Sequence, residues 1–202
     1  MSKWQKVVVF IGSAREKRMG ERVATFVVNK LKERKLDVVV VDPIKFELPI
    51  LQKPVHFYRP DDKPSAPNNL VEMNKHIVNA DAIVVISCEY NHCIPPGLAN
   101  LMDHFGPKSF DRKPSGIVTY SPSMVGGARA GVQLRSLLGE LGCISVSNMF
   151  TIPQAHLALG ENGEPSDTEG GKHMNSAVGK LIGQLEWWAN AAKAQRAVQD
   201  HY

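Results

Sequence analysis

The hydrophobic residues of the chain cluster in short, nearly continuous runs that are rich in Val and Ile. Four runs are clear and a fifth is weaker, and they cover residues 6–12, 36–42, 81–88, 115–121 and, for the weaker one, 143–150. Runs of this length without polar alternation are typical of strands buried on both faces. The pattern therefore predicts five buried strands.

Hydrophobic positions with helical spacing lie between and after these runs, at residues 23–31, 98–105, 134–141 and 178–188. This alternation of strands and helices along the chain predicts a parallel sheet with helices on both faces. Two segments interrupt this alternation of strands and helices. Residues 43–69 hold six of the 13 prolines and predict a long loop, and residues 157–174 predict a polar excursion before the last helix.

Size and composition limit the class of protein. The 202 residues, 43% hydrophobic and 22% charged, suit one soluble domain with a full core. The formal net charge of +4 is too small to indicate nucleic-acid binding by itself. No apolar run approaches the roughly 20 residues needed to cross a bilayer, and the N-terminal run is too short for a signal peptide.

The cysteines indicate the redox setting. There are three, Cys88, Cys93 and Cys143, and they form no CxxC pair. An odd number argues against a disulfide framework, so we expect reduced thiols and a cytoplasmic location. A redox pair between Cys88 and Cys93 remains an alternative. The histidines show no metal-ligand spacing, so we expect no metal site.

The segment after the first strand has the features of a phosphate site. Gly12 and Ser13 end the strand, Arg15 and Arg18 add positive charge, and a helix begins near Gly20. Glycine allows a ligand to approach closely, and the free N–H groups and dipole of a helix N-terminus favour an anion. An ordinary turn with solvated basic side chains is the alternative, because the segment lacks both the P-loop and the GxGxxG patterns.

A second candidate segment follows the third strand, where the sequence reads "SCEYNHCIPPG". In open parallel sheets, ligands bind at the carboxyl ends of the strands, and this segment lies next to the first strand in the predicted sheet. Its aromatic and amide groups could line a flat heteroaromatic ring. The two prolines suit the first turn of a following helix.

At these segments the chain resembles the NADPH-dependent FMN reductases. The resemblance rests on "GSAREKRMG", on "SCEYNHCIPPGLANLMDHF" and on "YSPSMVGGARAGVQLRSLL", and it spans nearly the whole chain. Some positions depart from the family's pattern. Cys88 stands for a common Pro, Cys93 for a common Ser, and Gly20 for the phosphate-loop Ser.

The resemblance implies a single flavodoxin-like domain over residues 1–202, with a five-stranded parallel sheet in the order 2-1-3-4-5 between two helical layers. It also implies bound FMN, held by three groups of residues. The phosphate would lie at Gly12, Ser13, Arg15, Arg18, Met19 and Gly20. The ring would lie at Cys88, Glu89, Tyr90, Asn91 and His92, and Ser121, Gly126 and Gly127 would form a third wall. No side chain is expected to act as a catalytic base, since the flavin carries the chemistry.

The activity that the resemblance implies is a ping-pong cycle. NADPH would give a hydride to FMN and leave, and a small acceptor would then take the electrons: a quinone, free flavin, azo compound or metal ion. A homodimer or homotetramer is expected, with no nucleic-acid or membrane partner. Two alternatives stay open, an electron carrier like flavodoxin and a redox-sensing protein that binds a partner. The basic loop and the charge of +4 argue against the carrier, since flavodoxins favour acidic surfaces.

Overall fold

The protein forms one parallel sheet in the computed structural model, which describes residues 4–46, 48–62 and 65–199. The strands are β1 (Lys6–Ile11), β2 (Asp37–Val41), β3 (Ala82–Ser87), β4 (Pro114–Tyr120), β5 (Ile144–Ser145) and β6 (Phe150–Ile152). Their order is β2-β1-β3-β4-β5, with β6 also paired to β4. All pairings are parallel, so the predicted fold and strand order are confirmed.

The fifth position of the sheet differs from the prediction. The sequence predicts one strand over residues 143–150, but two short strands pair with β4 at different heights, at Pro114–Ser115 and at Val118–Tyr120. Between them the backbone leaves the ladder, and Arg135 donates to the carbonyl oxygens of Val146 and Ser147 at 3.0 and 2.8 Å. A side chain therefore satisfies the carbonyl groups that the strand would have paired.

Seven α-helices surround the sheet within the described residues, and a short 3₁₀ helix covers Val55–Phe57. The α-helices are α1 (Gly20–Glu33), α2 (Asn68–Val78), α3 (Pro96–Asp103), α4 (Pro107–Phe110), α5 (Ala128–Glu140), α6 (Ala155–Ala158) and α7 (Glu169–Val198). Hydrophobic spacing did not identify α2, because only Leu70, Met73 and Ile77 of this helix are buried. The last helix begins at Glu169, inside the predicted polar excursion, where Thr168 caps it by accepting the Gly171 N–H.

Two hydrophobic clusters cover the faces of the sheet. Val7, Val9 and Ile11 point to the cluster that contains α1 and α7, while Val8 and Phe10 point to the cluster that contains α2, α3 and α5. Strand residues thus alternate between two buried faces, which explains their continuous hydrophobic runs. No helix of the described residues is long and apolar enough to cross a membrane. The carboxyl ends of β1, β3 and β4 meet at one edge.

Candidate functional site

The loop after β1 lies tightly against β3. The Gly12 N–H donates to Ile86 O at 2.8 Å, and a Cβ at Gly12 would lie only 3.1–3.2 Å from Leu98, Ile86 and Ser87. Ser13 is buried, and its Oγ accepts a long hydrogen bond of 3.4 Å from the Arg15 N–H. Arg15 itself is exposed. The loop therefore presents the buried hydroxyl of Ser13 and the exposed cationic side chain of Arg15 at the edge.

Arg18 is not placed as a solvent-facing cation. Its guanidinium is buried and makes a bidentate ion pair with Asp42, which follows β2, through bonds of 2.8 and 2.5 Å. It also donates to Ser13 O. Burial alone would raise the pKa of Asp42, but the bonds from Arg18 and from the Ile44 N–H outweigh burial and lower it. The charge of Arg18 is thus already paired inside the protein, and Arg18 anchors the loop.

The start of α1 packs directly on a buried tyrosine from β4. A Cβ at Gly20 would lie 2.5 Å from Tyr120 Oη, so only glycine fits there. The helix is preceded by Met19, which is half-buried and offers no capping oxygen. Tyr120 Oη is fully buried and has no hydrogen-bond partner among the described residues. Tyr120 is the first residue of the third motif, but from the sequence it reads as ordinary core because it ends a hydrophobic strand.

The loop after β3 is built on a two-residue turn. Tyr90 and Cys93 exchange backbone N–H···O bonds of 3.1 and 2.9 Å across the turn. The central residues, Asn91 and His92, have φ values of 51° and 65°, as in a type I′ turn. Both are exposed, whereas Cys88 just before them is buried in the core. Asn tolerates this left-handed conformation better than most residues, which gives Asn91 a structural reason to be there.

Glu89 connects this loop to α5. Its carboxylate accepts the Arg129 side chain at 2.6 Å and the backbone N–H groups of Arg129 and Ala130 at 3.1 and 3.4 Å. The carboxylate thereby caps the first turn of α5, where a negative charge is stabilising. Gln133 on the next turn donates to His92 O and accepts the Ile94 N–H. The side chain of Glu89 therefore ties the loop after β3 to the N-terminus of α5.

The loop after β4 forms the third side of the edge. Gly126 and Gly127 have φ values of 62° and 78°, and a Cβ at either would lie within 3.0 Å of neighbouring atoms. Ser121 is buried, and its Oγ lies 2.9 Å from Ser123 Oγ. This compact loop brings the N-terminus of α5 to the edge, beside the loop from β3.

The first two loops touch each other. Ser13 Oγ lies 2.6 Å from Tyr90 Oη, and the Arg15 guanidinium carbon lies 3.8 Å above the Tyr90 ring. Burial raises the pKa of Tyr90, and Ser13 partly opposes that shift. The structure thus brings the predicted residues of the three loops to one edge of the sheet. The set of residues predicted from the sequence did not include Asp42, Tyr120, Arg129 and Gln133, which hold the site residues in place; the last three lie in the third motif, and Asp42 lies in none.

Comparison with known proteins was consistent with this site. The NADPH-dependent FMN reductase family matches residues 5–157. The chain is 29% identical over 140 residues to an NAD(P)H-dependent FMN reductase, ntnL, of a Nectria species, covering 66% of this chain and 67% of that one. It is 28% identical over 141 residues to the quinone reductase of Escherichia coli K12, covering 68% and 71%.

A solved structure gives a similar result over more of the chain. FerB, a flavoenzyme NAD(P)H:(acceptor) oxidoreductase from Paracoccus denitrificans, superposes with a TM-score of 0.73 at 25% identity, covering 91% of this chain and 98% of FerB. The apo form of an NADH:FMN oxidoreductase, EMOB, superposes with a TM-score of 0.62 at 19% identity, covering 88% of each chain. At that identity the second likeness supports the fold.

Proposed function

Because the chain belongs to the NADPH-dependent FMN reductase family, a family of oxidoreductases, we propose that it passes a hydride from NADPH to bound FMN and then reduces a small acceptor in a ping-pong cycle. Quinones are the first acceptors to test, since several relatives are named quinone reductases. Free flavins, azo compounds and metal ions are the further candidates.

One observation carries the proposal: three loops at the carboxyl ends of neighbouring strands meet and leave polar donors without partners. Within the described part of the chain, Arg18 Nε and Tyr120 Oη are buried without a hydrogen-bond partner, and both lie at the loop after β1. Unpaired buried donors are costly, so they favour an acceptor-rich ligand. A phosphate ester fits that need, and the adjoining loop at Tyr90 suits an aromatic ring.

The proposed roles of the residues follow from their positions. Ser13, Arg15, the unpaired Nε of Arg18 and the first N–H groups of α1 would hold the phosphate, and the pairing of Arg18 with Asp42 would fix the loop. Residues 88–92 and the loop at Gly126 and Gly127 would hold the ring between two rigid walls. When bound, FMN supplies the hydride and electron transfer. The protein's contribution is to orient the ring and to leave one face open to donor and acceptor in turn.

We also propose a homodimer or homotetramer, as the family resemblance implies. In support, Met124 and Val125 in the loop after β4 are exposed, and so is Leu157 on α6. These apolar side chains lie beside the proposed ring site, where a second subunit would cover them. Analytical ultracentrifugation of the purified protein, with Met124→Ser as the comparison, tests this.

Spectroscopy and kinetics test the proposed activity. The purified protein should be yellow, and chromatography after heat release should identify about one FMN per chain. Anaerobic NADPH should bleach the flavin, and a quinone added afterwards should restore its colour. Initial rates against both substrates should give the parallel double-reciprocal lines of a ping-pong cycle. FAD in place of FMN, or no flavin after reconstitution, would overturn the proposal.

A further inference from the structure

Three hydroxyl groups from three different loops or strands come together under the loop after β1: Ser13, Tyr90 and Tyr120, which we call the hydroxyl cluster. Ser13 Oγ and Tyr90 Oη are 2.6 Å apart. Tyr120 Oη is buried against Gly20, and burial raises the pKa of Tyr120, with Cys88, Tyr90 and Ser13 as its electrostatic neighbours. All three hydroxyls therefore keep their protons.

The cluster has more donors than it uses. Each hydroxyl has one proton to donate and two lone pairs to accept with. Three protons are present, but only one hydrogen bond joins the three oxygens, between Ser13 and Tyr90. Tyr120 Oη makes none with any described residue. Cys88 Sγ is a weak acceptor and does not change this imbalance. Two of the three protons thus have no acceptor among the described residues, an imbalance that a ligand able to accept without donating would relieve.

We propose that Tyr120 is a positioning residue for the phosphate of the flavin and acts through the other two hydroxyls. This inference rests on the proposed function and adds a specific role to a residue outside the predicted set of FMN-binding residues. With the ligand bound, Tyr120 donates to Ser13, Ser13 donates to Tyr90, and Tyr90 directs its proton to a phosphate oxygen. The hydrogen bonds of the hydroxyl cluster then all run in one direction, towards the phosphate, and no hydroxyl proton is left without an acceptor.

The direction of the chain follows from the acceptors at Ser13. The Arg15 N–H already donates to Ser13 Oγ, at 3.4 Å. When Tyr120 donates as well, both lone pairs of Ser13 are filled, and its own proton can go only outward to Tyr90. Tyr90 is half-buried and lies under the Arg15 guanidinium, so its remaining proton and the Arg15 charge meet at the same place. A dianionic phosphate is the ligand that both groups favour.

Titration of the apoprotein with FMN and with riboflavin tests this role, because riboflavin lacks the phosphate. The set is the wild type, Tyr120→Phe, Tyr90→Phe and the double variant. Tyr58→Phe is the matched control, since Tyr58 lies in the 43–69 segment against Lys53. Tyr120→Phe should weaken FMN binding roughly fivefold, the loss expected for one neutral hydrogen bond of about 1 kcal/mol, and leave riboflavin binding unchanged.

The double variant tests whether Tyr120 acts through Tyr90. If it does, Tyr90→Phe already removes the last donor, and adding Tyr120→Phe should weaken FMN binding no further. Chemical unfolding of the apoprotein gives a second readout. Loss of an unpaired buried hydroxyl should leave the apoprotein of Tyr120→Phe as stable as the wild type or more stable.

Different outcomes overturn different statements. A wild type that binds no FMN would overturn the proposed function and this inference together. A wild type that binds FMN while Tyr120→Phe binds it equally well would overturn the inference alone. So would an equal loss of FMN and riboflavin affinity, or an apoprotein of Tyr120→Phe that unfolds at clearly lower denaturant, since each indicates a role unrelated to phosphate.

Discussion

The two ends of the sheet each bury a carboxylate among cations, but they use it differently. At the amino end, Asp81 accepts the backbone N–H groups of Gln5 and Lys6 at 2.8 and 3.1 Å and pairs with Lys193 and Arg196. Burial would raise the pKa of Asp81, and these partners lower it. The carboxylate joins the chain's start, β3 and α7, so its role is structural.

At the carboxyl end, Asp42 pairs with Arg18, and that ion pair holds a loop beside which Tyr120 Oη is buried without a partner among the described residues. The contrast shows that a buried ion pair does not identify a functional site. Cavity size does not identify the functional site either, because a cavity of about 800 Å³ opens at the amino end. It is lined by Trp188, Ile144 and Arg112 among others. In the described part of the chain an unpaired buried donor also occurs at the amino end, at Trp4 Nε1, so what distinguishes the carboxyl end is that two such donors, Arg18 Nε and Tyr120 Oη, lie where three loops meet.

The largest expected effect comes from removing Arg18. Arg18→Ala should lower the free energy of unfolding by about 3–5 kcal/mol, because it leaves the Asp42 carboxylate buried and unpaired. Arg196→Ala at the amino end is the matched control. Its pair with Asp81 is 3.5 Å long and its side chain is 23% exposed, so it should cost on the order of 1 kcal/mol.

Chemical denaturation of the two variant apoproteins measures both losses of unfolding free energy. Adding Asp42→Asn to Arg18→Ala should restore part of the loss, since the unpaired charge is then gone. If Arg18→Ala left the unfolding free energy unchanged and only weakened FMN binding, Arg18 would be a phosphate ligand only, and the assignment of the ion pair to loop anchoring would be wrong.

Lys113 gives the amino end a dependence on pH. Burial, reinforced by Arg196, lowers the pKa of Lys113 from 10.5 to about 8. Between these pH values the unfolded chain binds the proton and the folded protein releases it, so the contribution of Lys113 to stability should rise from pH 8 to 10.5. Below pH 8 that contribution should not change with pH. The gain should be about 3 kcal/mol at most, from 1.36 kcal/mol per pKa unit.

Unfolding free energies of the wild type and of Lys113→Met across this pH range measure the effect. The contributions of the other titrating groups cancel in the difference between the two proteins. Lys113 is 5% exposed and donates to Ser109 O, so methionine can fill its place. A difference that stays constant from pH 8 to 10.5 would contradict the shifted pKa.

Removing Arg15 should affect FMN binding and not the stability of the apoprotein, whereas removing Arg18 should chiefly lower that stability. Arg15 is exposed and stacks on Tyr90, so Arg15→Ala should leave the unfolding free energy of the apoprotein nearly unchanged. It should weaken FMN binding roughly tenfold, since a bond to a charged phosphate is worth about 1.5–3 kcal/mol. Titration of apoprotein with FMN measures it, with the exposed Arg59→Ala as the control. Equal FMN affinity in the two variants would make Arg15 a solvated side chain only.

The smallest effect separates the two possible roles of Asn91. Its φ of 51° makes Asn91→Ala strained, at about 1 kcal/mol, whether or not the amide contacts the ring. Asn91→Gly keeps the turn and removes only the amide. If the amide bonds the flavin ring, Asn91→Gly should leave the apoprotein's melting temperature alone and lower the midpoint potential of bound FMN by about 20 mV, equivalent to one net hydrogen bond.

Spectroelectrochemistry of the reconstituted protein measures that potential. An unchanged potential in Asn91→Gly, together with an earlier melting apoprotein in Asn91→Ala, would show that Asn91 serves the turn and not the ring.

The sequence by itself determined the class of fold and the edge where the site lies. Continuous Val and Ile runs occur when both faces of a strand are buried, and glycine-rich or basic segments after such runs can only lie at the carboxyl ends of parallel strands. Positions such as Ser13, Tyr90 and Gly127 could be selected because a local motif surrounds them.

The tertiary structure alone decided which donors are free. Arg15 and Arg18 are three residues apart and look equivalent in sequence, yet one is exposed and the other is paired with Asp42, 24 residues away. Tyr120 reads as core in a hydrophobic strand until Gly20 and Ser13 are packed against it. A side chain's hydrogen-bond partners come from distant segments, and no local pattern carries that information. For that reason the loops could be predicted, but the ion pair and the unpaired hydroxyl could not.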